Sequence, residues 1–72
     1  MIGADGRGQI AGYETASSHS EPLPGQEVES LARKTLARLR DAGYAHLDPK
    51  PEFIRGFLQG YREFFLFRSA FL

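Results

Sequence analysis

The 72-residue sequence predicts an all-α protein: a two-helix antiparallel hairpin over residues 26–72, preceded by a flexible Gly/Ser/Pro-rich N-terminal arm over residues 1–25. Three observations lead there. Apolar residues recur at intervals of three and four from Val28 onward, which is helical spacing. Gly43 and the pair Asp48-Pro49 punctuate that pattern as a helix stop and a helix start do. Before residue 26 glycine, serine and proline dominate, and the sparse apolar residues keep neither helical nor strand period.

The arm contains Gly3, Gly6, Gly8, Gly12, Ser17, Ser18, Ser20, Pro22, Pro24 and Gly25, a composition that favours a mobile chain or one ordered by a partner. Within it, residues 3–14 have the outline of a calcium-binding loop, with Asp5, Gly8, Ile10 and Glu14 at its third, sixth, eighth and twelfth positions. The donor chemistry opposes that reading. Gly3 stands where the first carboxylate belongs and Arg7 brings a cation to the fifth position, so a glycine-rich turn is expected instead.

The first predicted helix spans about residues 26–42. Val28, Leu31, Ala32, Thr35, Leu36, Leu39 and Ala42 form its apolar stripe. Glu27 and Glu29 suit the positive end of the helix dipole, Arg38 and Arg40 suit the negative end, and Glu29 with Arg33 makes an i,i+4 pair in the favoured order. Leu23 is placed to pack back on Val28 as a hydrophobic staple. Gly43 then ends the helix, since glycine takes the left-handed C′ conformation without steric cost.

The second predicted helix, about residues 51–71, holds all six phenylalanines. At about 100° per residue, Phe53, Ile54, Phe57, Leu58, Tyr61, Phe64, Phe65, Phe71 and Leu72 share one face, while Arg55, Gln59, Arg62 and Glu63 lie opposite. Gly56 and Gly60, four apart at the edge of that face, would let another backbone approach closely. Each costs roughly 0.8–1 kcal/mol against alanine in a helix, so tight packing is the expected compensation.

A narrow aliphatic stripe on one helix cannot cover a wide aromatic face on the other. That imbalance, in a chain without cysteine to staple it, predicts association through the second helix. The expected function is a small non-catalytic protein-interaction module (an adaptor, inhibitor or accessory subunit) that binds a protein partner or forms a homo-oligomer. Its expected contact residues are Phe53, Gly56, Phe57, Gly60, Tyr61, Phe64, Phe65, Phe67 and Phe71. The alternative is a peripheral membrane protein anchored by an in-plane C-terminal helix, with three arginines among its polar positions.

Other classes find less support. His19 lies between serines in the arm and His46 stands alone in the connector, so neither has a metal-ligand neighbour or a triad geometry in view, and no enzyme activity, metal or cofactor is expected. Arg33, Lys34, Arg38 and Arg40 cluster on the first helix, but a net charge of zero and an apolar second helix disfavour nucleic acid. Without an N-terminal signal pattern the expected location is cytoplasmic, with membrane association as the alternative.

Overall fold

The computed structural model describes residues 3–44 and 50–70. They form three helices: α1 (Ala4–Ser17), α2 (Gly25–Asp41) and α3 (Lys50–Ala70), with no strand among them. The two-helix hairpin is therefore corrected to three helices, because residues 4–17 of the expected arm are helical. The all-α class stands, and α2 and α3 begin and end within a residue of their expected bounds.

α2 owes its limits to local chemistry. Pro24 precedes the first turn, and its carbonyl accepts from the N–H groups of Glu27 and Val28. At the far end Gly43 has φ +101°. Its N–H donates to the Arg40 carbonyl and that of Tyr44 to the Leu39 carbonyl, at 3.0 and 3.1 Å. Those two bonds make a Schellman motif, the termination that a glycine at C′ anticipates. The Glu29–Arg33 pair also forms, at 2.7 Å.

Propensity does not explain α1, which contains three glycines and lacks a side-chain hydrogen bond at its N-cap Gly3. Its buried stripe is Ala4, Gly8, Gly12 and Ala16, one small residue per turn. That stripe lies along Gly56 and Gly60 of α3. A Cβ on Gly8 would overlap the carbonyl of Phe53, one on Gly12 that of Phe57, one on Gly56 that of Asp5, and one on Gly60 that of Gln9. The fit is reciprocal: each helix offers glycines to the other's carbonyls. Numbers rise together on both sides, so α1 and α3 run parallel. At this separation backbone meets backbone, where Cα–H···O contacts and dispersion replace side-chain packing.

α2 crosses back between the two parallel helices in sequence and runs antiparallel to α3. Its start, at Gly25 and Val28, borders Leu58, Tyr61 and Phe65, whereas Arg33 borders Lys50 and Ile54. α1 and α2 scarcely touch. The core is thus built on α3, with Phe53, Phe57 and Leu36 as its most deeply buried large side chains. No described buried side-chain nitrogen or oxygen lacks a hydrogen-bond partner.

Two polar contacts fix the rest. The Tyr61 hydroxyl, in the core, lies 2.8 Å from His19 Nδ1 and accepts from the Leu23 N–H at 3.1 Å, which pins the α1–α2 connection to α3. Glu63 accepts from Gln9 and from Gln59, one amide on each carboxylate oxygen, both at 3.0 Å. Near the end of α3, Arg68 donates to the Ser20 carbonyl at 3.2 Å.

Candidate interaction surface

α3 presents three sides, and the expected contact residues divide among them. Phe53, Gly56, Phe57, Gly60 and Tyr61 are buried. What covers them within the single chain is α1, together with α2. The physical reason is the glycine seam, which brings a second helix onto the flank that α2 leaves open. Phe64 and Phe65 are half-buried at the rim of the core. Phe67 is 50% exposed, and Phe71 lies outside the described residues.

Phe64 leads outward from the core. Its ring meets Phe65 edge-on with centroids 5.2 Å apart, and Phe65 in turn meets Tyr61 at 5.3 Å. On the other side Phe64 meets Tyr13 of α1, also edge-on, at 5.2 Å. Such edge-to-face pairs are favourable through the ring quadrupoles. Tyr13 remains 40% exposed and Ile10, one turn earlier on α1, 44%. Phe67, one turn after Phe64, extends the row along α3.

Tyr13 and Phe64 therefore meet where α1 and α3 run side by side, with the exposed Phe67 one turn later on α3 and the exposed Ile10 one turn before Tyr13 on α1. Ile10 and Tyr13 were not among the expected contacts. Their signal in the sequence is a three-residue apolar interval inside a glycine-rich stretch, which only acquires meaning once that stretch is helical.

The histidines and carboxylates form no comparable centre. His19 is engaged with Tyr61, ring on ring at 5.7 Å, and His46 lies outside the described residues. Asp5 and Glu14, the carboxylates of the calcium-loop outline, both belong to the continuous helix α1 rather than to a turn. Among the described residues no three His, Cys, Asp or Glu side chains are grouped closely enough to hold a metal ion, and no helix is long and apolar enough to cross a membrane.

No protein-family model, curated protein or solved structure matches this chain.

Proposed function

We propose that the protein is a small non-catalytic interaction module that docks on a protein partner, or on a second copy of itself, through the edge formed by Ile10, Tyr13, Phe64 and Phe67. One observation carries this reading: Ile10, Tyr13 and Phe67 stay about half exposed on either side of the Tyr13–Phe64 ring contact although the core beneath it is closed. Contiguous apolar surface rimmed by polar residues is the common mark of an interaction site, and tyrosine is favoured at the energetic centre of interfaces. Gln9 and Glu63 on one side and Glu14 on the other supply the polar rim.

Sedimentation velocity over a wide dilution range tests it first. A discrete oligomer that dissociates on dilution and becomes monomeric in Phe67→Asp assigns the edge to self-association. A monomer directs the search to a different protein, to be sought by crosslinking from a photoreactive residue at position 67. Absence of both self-association and a crosslinked partner rejects the reading.

A lipid surface is the second reading. It is favoured by Leu66 and Phe67, 54% and 50% exposed and consecutive on α3, between Arg62 and Arg68. An in-plane arrangement of this kind binds anionic bilayers. Co-sedimentation with phosphatidylserine vesicles, lost in Leu66→Asp, supports it; equal recovery in the supernatant with and without vesicles removes it.

A further inference from the structure

A second apolar feature shares no residue with that edge. Between the start of α2 and the C-terminal half of α3 runs an open groove of about 470 Å³. Leu23 and Val28 line it from one side and Leu58, Phe65 and the exposed Leu66 from α3. From Leu58 to Ser69 it follows α3 for about 16 Å, at about 1.5 Å per residue. Its volume lies within the range of roughly 300–1,000 Å³ usual for small-molecule sites, which are mostly apolar with a few polar groups that fix orientation.

Two details describe the occupant. Among the described residues that line the groove, Arg62 alone is charged, and no described carboxylate pairs with it. The nearest acid along α3, Glu63, is held by Gln9 and Gln59 instead. Gly25 is the second detail. It is the first residue of α2, its φ is not positive, and a Cβ built on it meets nothing within 4 Å. The seam glycines are required by a neighbouring backbone; neither packing nor conformation requires Gly25. Gly25 lines the groove without adding a side chain to it, and it sets the positive end of the α2 dipole beside it.

We propose that this groove binds a long-chain fatty acid, its alkyl chain lying along Leu58, Phe65 and Leu66 and its carboxylate paired with the Arg62 guanidinium. The apolar walls match a chain without hydrogen-bonding groups. One unpaired guanidinium on the rim matches one carboxylate, for which its planar fork is suited to bidentate contact.

The test is isothermal titration of the full chain with monomeric oleate, with oleyl alcohol as the uncharged control and ¹³C-carboxyl-labelled oleate to follow the head group by NMR. Saturable one-to-one binding of oleate is expected, at least about tenfold tighter than the alcohol, as a charge-assisted bond implies. Arg62→Glu should lose about tenfold or more and no longer shift the carboxyl resonance, while Arg62→Lys retains part of the affinity. Gly25→Leu, which fills open space, should abolish binding while the thermal melt is kept. Equal affinity for oleate and oleyl alcohol overturns the assignment, as does an unchanged affinity in Arg62→Glu or in a folded Gly25→Leu. Absence of saturable binding overturns it too, including the case in which only anionic vesicles are bound. The comparison of head groups uses the unaltered chain, so it decides the matter even where a variant does not fold.

Discussion

The two contacts that α3 makes differ in kind. Against α1 it meets backbone with backbone, through Gly8, Gly12, Gly56 and Gly60. Against α2 it meets side chain with side chain, through Leu58 and Ile54 beside Val28 and the Leu36 core. A seam without side chains has nothing that can rotate out of the way. A side-chain interface can repack when one member changes, so its losses scale with the cavity left behind. The same polypeptide thus has one junction that tolerates no added carbon and another that tolerates some loss of carbon.

The sharpest way to break this contrast is Gly56→Ala with Gly60→Ala. Each methyl would enter the space of a carbonyl, on Asp5 and on Gln9, and the backbone that carries those carbonyls must move. A loss of about 4 kcal/mol or more is expected. For a domain of this length total stability is roughly 4–10 kcal/mol, so the far-UV circular dichroism melt should shift down steeply or vanish. Higher helicity with an undiminished melting temperature would refute the seam.

Leu36→Ala probes the other junction. The side chain is almost wholly buried, and its truncation should cost about 2–4 kcal/mol while α1 and α3 stay paired. Hydrogen exchange tells the two apart: amides of α2 should lose protection before those of α3. Uniform loss over all three helices would mean that the junctions are a single cooperative unit.

Smaller effects sharpen the comparison. Tyr61→Phe removes the hydroxyl shared by His19 and the Leu23 N–H, at an expected cost of about 1–2 kcal/mol, measured by denaturant titration. Gly25→Ala should act in the opposite direction from Gly60→Ala. It adds a methyl to open space at a helical position, and a gain of about 0.5 kcal/mol is expected from reduced freedom of the unfolded chain. If both alanines destabilise alike, glycine content rather than glycine placement governs this fold.

α2 was legible in the sequence because its signals are local: a stripe at intervals of three and four, charges suited to each end, and Gly43 at C′. α3 was legible for the same reason, and its expected inward residues Phe53, Ile54, Phe57 and Tyr61 are buried. α1 was not. Periodicity searches follow large apolar residues, whereas the buried side of α1 is Ala4, Gly8, Gly12 and Ala16, which add almost nothing to hydrophobicity and resemble a loop in composition. The spacing of four was present all along, in the same form as Gly56 and Gly60. Only the match between the two patterns, remote in sequence, identifies either as a seam. The same blind spot reaches the surface: Phe53, Phe57 and Tyr61 are buried within the chain, while Ile10 and Tyr13, exposed on α1, carried no signal as long as that stretch read as an arm.

The parallel pairing of α1 with α3 also bears on how the chain is made. Gln9 and Glu63 hydrogen-bond across 54 positions, so during vectorial synthesis α1 emerges long before the surface that holds it. Its glycines weigh against a helix of its own. α2, encoded by neighbouring residues, can form and meet α3 as an antiparallel pair with a short connection. Closing α1 onto α3 therefore carries a larger loop-closure cost than pairing α2 with α3.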